Sequence, residues 1–283
     1  MPTPLRCPVC RQPLLRRDHG AACANRHSFD RARQGYLNLL PSHKKRSASP
    51  GDSIEMVQAR TRFLDTDLYN APATALIEAI HASVSDKNQP VIVDAGCGEG
   101  YYTTRIADAL PKASVTGFDI SKPAVVQCCR RKTDNADLQW LVASVADIPL
   151  PDDSTDVLVS VFSRIDWNEF ARLLKPGGQV MVLGPGPDHL LELRQTIYED
   201  VRSYPEDKLL ETLPDGFELT SKTTVTDTLN VPDCQTIMDL LAMTPHFWHI
   251  KPAQRDKLEA LQQLHCRLDM RLYVITYQPA ASR

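Results

Sequence analysis

The stretch "PVIVDAGCGEG", residues 90–100, decides the fold class of this chain. Residues 91–93 are β-branched and apolar, and a glycine loop follows them directly. Apolar residues at helical spacing begin immediately after that loop, in "YYTTRIADAL". A short buried strand, a glycine turn and a helix in this order predict the first strand–helix unit of a parallel sheet.

The same alternation of strands and helices continues along the chain. Further strands are predicted in "ASVTGFDI", "LQWLVAS", "TDVLVSVFS" and "QVMVLGPG", and helices in "KPAVVQCCRRK", "WNEFARLL" and "DHLLELRQTIYEDVR". Near the carboxyl terminus, "RLYVITY" predicts the strand that closes the sheet. The pattern indicates a mostly parallel, doubly wound Rossmann-like α/β sheet, which binds ligands beyond the carboxyl ends of its strands.

The charges around the glycine loop predict the ligand. The loop has the form GxGxG, with Gly96, Gly98 and Gly100, and Tyr101 stands where a dinucleotide fingerprint has its third glycine. Asp94 and Glu99 would repel a pyrophosphate and attract the sulfonium and ammonium of S-adenosylmethionine (SAM). Asp119, at the end of the second strand, would accept hydrogen bonds from the ribose hydroxyls. An isolated GxGxG is compatible with a tight turn alone, but the acids and the later "KPGG" favour SAM binding.

Four soft ligands lie near the amino terminus, with the spacing Cys7-x2-Cys10-x12-Cys23-x3-His27. Two such pairs fit the tetrahedral coordination of zinc, and four protein ligands make the site structural rather than catalytic. The alternatives are four unrelated residues or a redox Cys-x-x-Cys motif, but the redox motif would not need the second Cys/His pair. About 25 residues bury too little core to fold alone, so the metal would supply the stability.

Charge is unevenly distributed along the chain. The first 62 residues carry 12 Lys or Arg and 4 Asp or Glu, whereas the whole chain has a net charge of −3. A basic head on an acidic body suggests contact with a polyanion, although a solvated basic surface explains the charge equally well. Lys44, Lys45 and Arg46 lie in a connector rich in Ser and Pro, and helical spacing begins at Ser53, with Asp52 or Ser53 as its N-cap.

The sequence gives no sign of export or of a membrane span. The start "MPTPLRCPVC" has no apolar segment typical of a secretory signal, and no apolar run is long enough to cross a bilayer. Eight cysteines in 283 residues without such a signal do not indicate a disulfide framework. We therefore expect a reducing, cytoplasmic location.

Several motifs together resemble one family, the bacterial 23S ribosomal RNA (guanine-N1)-methyltransferases. Besides the Cys/His set, they are "GYLNLLP", "KRSASPGDSIEMVQAR", "DAGCGEGYYT", "LKPGG", "PGPDHL" and "MTPHFW". The resemblance, which covers the chain to about residue 250, implies a class I SAM-dependent methyltransferase domain behind a zinc-binding domain. It implies methylation of a guanine in a hairpin of large-subunit ribosomal RNA. It also implies that Tyr69, Gly98, Glu99 and His189 contact SAM.

The loop after the fourth strand departs from the family. Many members have a short Ala-Pro segment there, where this chain has "FSRIDWNEF". The loop should hold the target base, which must be unpaired or flipped out because N1 lies on the Watson–Crick edge. Asp166 is a candidate acceptor for the N1 proton, and His189 is a second. Trp167 or Phe162 would stack on the base, unless both belong to the core.

The domain division expected from these patterns has three parts. Residues 1–40 form a zinc-binding, RNA-contacting domain, 41–88 a basic linker with a helical segment, and 89–283 the methyltransferase domain. The expected partner is ribosomal RNA and not a membrane, and a homodimer is compatible with the sequence. The alternatives are methylation of another RNA, another base position or a small molecule, or RNA binding without catalysis. Failure to bind SAM would favour the last.

Overall fold

A computed structural model describes residues 3–42, 47 and 50–279, and their core is an eight-stranded sheet. Its order is β11-β12-β10-β9-β6-β7-β8-β5, and a second sheet near the amino terminus has the order β1-β2-β3-β4. The strands are β1 (Leu5–Arg6), β2 (Pro13–Arg17), β3 (Gly20–Cys23), β4 (Ser28–Asp30), β5 (Leu37–Asn38), β6 (Val91–Ala95), β7 (Ser114–Asp119), β8 (Leu138–Val142), β9 (Thr155–Val161), β10 (Leu174–Pro185), β11 (Phe217–Val231) and β12 (Leu264–Tyr277).

Helices connect these strands and cover the large sheet. They are α1 (Ile54–Leu64), α2 (Asn70–Ser83), α3 (Tyr101–Ala109), α4 (Lys122–Cys128), α5 (Trp167–Leu173), α6 (Leu191–Ile197), α7 (Lys208–Glu211), α8 (Cys234–Ala242) and α9 (Pro252–Glu259), and a 3-10 helix spans Pro245–Trp248. None of the helices in the part of the chain that is described is long and apolar enough to cross a membrane.

The parallel part of the sheet confirms the fold class predicted from the sequence. Strands β5 to β10 pair in parallel, and β6 lies between β7 and β9. Strands β6 and β9 are buried almost throughout, as expected for parallel strands covered on both faces. The chain runs outward from β6 to β8 on one side and returns to β9 and β10 on the other. This reversal places a ligand crevice at the carboxyl ends of β6 and β9.

The carboxyl-terminal strands run antiparallel to the rest. β12, which contains "RLYVITY", pairs with both β10 and β11 and therefore lies inside the sheet. The edge strand is β11, which no apolar pattern indicated because most of its side chains are exposed threonines and charged residues. A strand with one open edge and a solvated face has little need for apolar residues.

The residues between the zinc motif and the glycine loop belong largely to the core. Ser53 is the N-cap of α1 and accepts a hydrogen bond from the Met56 amide at 3.3 Å. Phe63, at the end of α1, and Leu76, in α2, are fully buried in the cluster that also contains β6 and β12 residues. The range predicted as a basic linker with a helical segment, 41–88, contains two helices that pack into this core.

The amino-terminal sheet is joined to the edge of the large one. Leu5 and Leu14 share a core cluster with Leu141 and Ile148 of the body. Strand β5 extends the large sheet by pairing with β8, with Leu37 opposite Leu141. The head therefore docks directly on the body. The predicted basic connector at Lys44–Arg46 lies outside the described residues.

Candidate active site and metal centre

A cavity of 610 Å³ opens beyond the carboxyl ends of the parallel strands. Two sets of residues line it. The glycine-loop half is formed by the carboxyl ends of β6 and β7, the loop after β6, and residues before and within α1. It contains Gly51, Asp52, Arg60, Asp94, Gly96, Gly98, Glu99 and Asp119. The aromatic half is formed by residues after β9 and β10 and from the carboxyl-terminal part, and it contains Phe162, Arg164, His189, Tyr204, Met243, Thr244 and Pro245.

The glycine loop requires its glycines for two physical reasons. Gly96, Gly98 and Gly100 have φ angles of +80°, +56° and +89°, in the left-handed region that side chains with a Cβ disfavour. A Cβ on Gly96 would lie 2.6 Å from Cβ of Ser163, and one on Gly100 would lie 3.0 Å from Trp140. The loop is therefore pressed against neighbouring elements, and its backbone forms the wall of the cavity.

Of the three predicted acids of the glycine-loop half, Asp94 and Glu99 are buried and Asp119 is partly buried. Asp94 accepts a hydrogen bond from the Thr103 hydroxyl through Oδ2, while its Oδ1 has no partner among the described residues. Burial raises the pKa of Asp94 to about 7. Asp119 accepts from the amides of Ser121 and Gly98 at 2.8 and 2.9 Å. An orphaned carboxylate oxygen at the cavity wall suits a cationic ligand.

Glu99 lines the cavity, but its charge is already balanced. Its carboxylate accepts a hydrogen bond from Nε of Arg131 at 2.7 Å, and Arg131 also pairs with Asp65 at 3.0 Å. The side chain of Glu99 is almost completely buried. This ion pair ties the glycine loop to the end of α1, and contact of Glu99 with SAM stays a prediction.

Residues 51–52 and Arg60 of α1 lie against the glycine-loop half of the cavity, a position that no sequence pattern indicated. The Ser121 hydroxyl donates to the Asp52 carbonyl at 2.8 Å, and Arg60 pairs with the Asp52 carboxylate at 2.6 Å. The guanidinium of Arg60 also lies beside Gly98. Arg60 thus supplies a cation at the cavity wall, opposite in sign to Asp94. Its neighbour Arg62 instead pairs with the buried Asp239.

Tyr69 and His189 meet in the cavity wall, 120 residues apart in sequence. The Tyr69 hydroxyl lies 3.4 Å from Nε2 of His189, and Nδ1 of His189 accepts from the Asp269 amide at 3.4 Å. Burial lowers the pKa of His189 to about 4, so its ring is neutral at pH 7. Because Nδ1 accepts, the single ring proton of this tautomer lies on Nε2. Neither nitrogen is then free to accept a proton from a ligand.

Of the residues of the loop after β9 that were predicted to meet the target base, only some line the cavity. Asp166 is the N-cap of α5, where its carboxylate accepts from the Glu169 amide at 3.2 Å, and Trp167 packs on Phe217 with ring centroids 4.9 Å apart. Neither residue is among those lining the cavity. Asp166 therefore acts as a helix cap, because the turn into α5 carries it away from the strand end. Phe162 is 51% exposed and does line the cavity.

The four predicted metal ligands converge in the head. One donor atom from each of Cys7, Cys10, Cys23 and His27 lies within 4.8 Å of all the others. The sulfurs of Cys10 and Cys23 are 3.6 Å apart, and Nδ1 of His27 is 3.4 Å from the Cys23 sulfur. Tetrahedral zinc requires about 3.8 Å between sulfurs and about 3.6 Å between sulfur and nitrogen. A hydrogen bond from the Gln12 amide lowers the pKa of the Cys10 thiol to about 6, which favours the thiolate.

Comparison with known proteins agrees with both sites. The zinc-ribbon model described as "RlmA, N-terminal" matches residues 5–48, and a methyltransferase-domain model matches residues 92–178. The 23S rRNA (guanine(748)-N(1))-methyltransferase of Streptomyces fradiae is 35% identical over 251 residues, which are 88% of this chain and 87% of that protein. The chain belongs to the 23S rRNA (guanine-N1)-methyltransferase family.

A further relative supports this. A protein of Micromonospora griseorubida, named as a candidate 23S rRNA (guanine-N1)-methyltransferase, is 33% identical over 88% of both chains. The crystal structure of a candidate methyltransferase from Bacillus halodurans covers 72% of this chain and 98% of its own, with 16% identity and a TM-score of 0.47. As a member of the family, the protein is a SAM-dependent methyltransferase with a zinc ribbon.

The cavity fits the cofactor of the family. Asp94, with its orphaned oxygen, would meet the ammonium of SAM, and Asp119 would meet the ribose hydroxyls. Arg60 is the cation that would meet the SAM carboxylate, and the glycine loop leaves room for close approach of the backbone. These contacts stay predictions for each residue.

The raised pKa of Asp94 predicts that SAM binding releases a proton. In the free protein this carboxyl titrates at about 7 rather than near its unfolded value, and a cationic ligand favours its ionised form. SAM affinity should therefore fall as the pH falls through 7, with proton release largest below 7 and absent well above it. Calorimetry in buffers of different ionisation enthalpy measures this. Asp94→Asn should abolish the proton release and the pH dependence of SAM affinity. If this variant releases as many protons as the unaltered protein, Asp94 is not the group that titrates on SAM binding.

The same shift affects the stability of the ligand-free protein. Between the unfolded pKa of about 4 and the folded value of about 7, the folded chain binds more protons than the unfolded one. The contribution of Asp94 to folding therefore becomes less favourable as the pH rises through that window. SAM should reverse the trend, because it pairs with the charged form.

Proposed function

We propose that the protein transfers the methyl group of SAM to N1 of a guanine in a hairpin of 23S ribosomal RNA. The observation that carries this proposal is the two-part cavity. One half has the residues that suit SAM, and the other offers an exposed aromatic ring within the same enclosure. The names of the relatives supply the substrate class and the atom.

The cavity would act mainly by positioning. Bound SAM would supply an activated methyl group, whose bond to sulfur breaks as the bond to N1 forms. The glycine loop, Asp94 and Asp119 would fix the donor, and the aromatic half would fix the base in line with it. The electron pair of the broken bond stays on sulfur, and the N1 proton must pass to an acceptor.

Phe162 is the residue that we propose to stack on the flipped guanine. Its ring lies 5.8 Å from that of His189, tilted by 30°, so that His189 supports it from the protein side. Its φ angle is +50°, an unfavourable value for a residue with a bulky side chain. The next residue, Ser163, holds the turn through a hydrogen bond to the Ser160 hydroxyl at 2.9 Å. Backbone strain that the surroundings enforce is common at functional sites.

Replacing Phe162 by alanine should weaken methyl transfer without weakening SAM binding. The loss of one base–aromatic stack costs about 1–3 kcal/mol, so kcat/KM for RNA should fall about 5- to 150-fold. Phe162→Trp should retain most of the activity. Leu219→Ala, which truncates an exposed apolar side chain on β11, serves as the control. Equal kcat/KM values for Phe162→Ala and the control would remove Phe162 from the base site.

The head would hold the RNA hairpin. Arg11, Arg17, Arg26 and Arg33 are exposed on the same small domain as the metal cluster. Basic side chains on a rigid, metal-bound scaffold suit contacts with phosphates, which recognise the shape of the RNA. The head lies against the edge of the large sheet, next to β8.

The deciding experiment is tritium transfer from labelled SAM to 23S ribosomal RNA of a deletion strain, followed by nucleoside analysis. N1-methylguanosine as the single product supports the proposal, and primer extension then locates the guanine. Transfer only to ribosomal particles keeps the enzyme and makes an assembled particle its substrate. No transfer to either refutes the proposal and leaves another RNA, or binding without catalysis.

A further inference from the structure

A chain of hydrogen bonds leads from the aromatic half of the cavity into the carboxyl-terminal part of the protein. His246, in the 3-10 helix, contacts two phenols. Nε2 lies 2.9 Å from the Tyr204 hydroxyl and Nδ1 lies 3.0 Å from the Tyr198 hydroxyl. Tyr204 lines the cavity, whereas His246 and Tyr198 do not. Burial lowers the pKa of His246, so its ring is neutral and one nitrogen is available as an acceptor.

A buried guanidinium lies against this chain. Arg194 is 2% exposed, and its guanidinium carbon stands 4.4 Å from the centre of the Tyr204 ring. It donates to the carbonyls of Arg202 and Pro187 at 2.8 and 3.0 Å. Within the described chain its Nε has no hydrogen-bond partner, and no carboxylate forms an ion pair with it. A buried cation without an anion favours negative charge nearby.

We propose that Tyr204 takes the N1 proton of the target guanine and passes its own hydroxyl proton to His246. This inference rests on the proposed function. The N1–H bond breaks as the N1–methyl bond forms, and the proton goes to the Tyr204 oxygen. The Tyr204 O–H bond breaks in the same step, and its proton goes to Nε2 of His246. As Nε2 gains that proton, the Nδ1–H bond breaks and its proton goes to the Tyr198 oxygen. Tyr198 is partly exposed, and the proton of its hydroxyl goes to water, so the His246 ring stays neutral throughout.

The positions of the other groups support this choice. Asp166 caps α5, and both nitrogens of His189 are committed to Tyr69 and the Asp269 amide. Asp94 and Asp119 lie in the glycine-loop half. Tyr204 thus offers, in the aromatic half, a hydroxyl whose onward partner is an imidazole nitrogen. The positive charge of Arg194 would stabilise the negative charge that develops on the phenol and the base during transfer.

The test is single-turnover methyl transfer by Tyr204→Phe, with saturating SAM and RNA. This variant keeps the ring that stacks on Arg194 and removes only the hydroxyl. The rate at pH 7 should fall by about 100-fold or more, the range of general base catalysis, while SAM affinity stays unchanged. Tyr277→Phe, on β12 and outside the cavity lining, is the matched control and should react at the rate of the unaltered protein.

The pH profile separates a chemical role from a structural one. The titratable and charged groups that face His246 are Arg194, His249, Tyr198 and Tyr204, and His189 lies near enough to interact. As the pH approaches the pKa of guanine N1, the base loses its proton to solvent, so the deficit of Tyr204→Phe should shrink. A deficit that is independent of pH overturns the proposal, because a displaced base would react slowly at every pH.

A double-variant cycle with His246→Gln tests the relay itself. If the two residues act as one unit, the double variant should lose little more than either single variant. Additive losses would overturn the relay. If the unaltered protein and Tyr204→Phe transfer the methyl group at equal rates, the relay is also overturned, but the proposed methyltransferase activity is not. Absence of N1-methylguanosine with the unaltered protein would instead refute the proposed function.

Discussion

Replacing Cys10 by serine should release the metal from the head and unfold it. Structural zinc contributes on the order of 10–16 kcal/mol to domains of this kind. The four strands of the head are only two to five residues long and bury few large apolar side chains, mainly Leu5 and Leu14. Such a core cannot offset the loss of the metal. Cys10 is the suitable position because it is partly exposed, whereas Cys7 lies in the core shared with the body.

The effects on the two ligands should differ. RNA affinity should fall by about 100-fold or more, because several phosphate contacts are lost together. SAM affinity should change little, since Gly51 is the first of the described residues that line the cavity. Elemental analysis, calorimetry with SAM and RNA binding at fixed salt measure the three outcomes. Cys234→Ser, a partly buried cysteine of α8, should keep one zinc per chain. Full zinc content in Cys10→Ser would refute the assignment of the ligands.

The predicted residues of the glycine-loop half could be placed together from the sequence because they are local. Asp94, the glycines and the start of α3 follow one another in ten residues, and Asp119 ends the adjacent strand. The convergence of Cys7, Cys10, Cys23 and His27 could be predicted for the same reason, because they form two short-range pairs. In both cases the chemistry is encoded by spacing that a strand, a turn or a hairpin converts directly into proximity.

The part of the aromatic half around Tyr204 could not be predicted in this way. Tyr204 lies on an irregular segment and His246, 42 residues later, in a 3-10 helix, and their meeting depends on the packing of the carboxyl-terminal helices. The placement of Asp166 depended on where α5 begins, and a shift of a few residues separates a helix cap from a cavity residue. The contact between the head and the large sheet could not be predicted either, because Leu37 pairs with a strand about 100 residues later in the sequence. These arrangements follow from tertiary contacts that no local pattern encodes.

Gly96→Ala should weaken SAM binding strongly. The backbone there has a φ angle of +80°, which costs a residue with a Cβ about 1–2 kcal/mol. The new Cβ would also lie 2.6 Å from Cβ of Ser163, and such overpacking costs about 1–3 kcal/mol more. To relieve the unfavourable φ angle and the close contact with Ser163, either the glycine loop or the turn that carries Phe162 must move. The combined cost of about 2–5 kcal/mol corresponds to roughly 30- to 5,000-fold in SAM affinity.

Gly177→Ala separates the two contributions. Gly177 has nearly the same φ angle, +79°, but a Cβ there would meet no atom within 4 Å. That variant should lose about 1–2 kcal/mol of stability and bind SAM normally, because Gly177 lies outside the cavity lining. Combining Gly96→Ala with Ser163→Gly should restore part of the affinity, since it removes the opposing carbon. If Gly96→Ala binds SAM within about twofold of the unaltered protein, the close packing of loop and turn does not control the cofactor site.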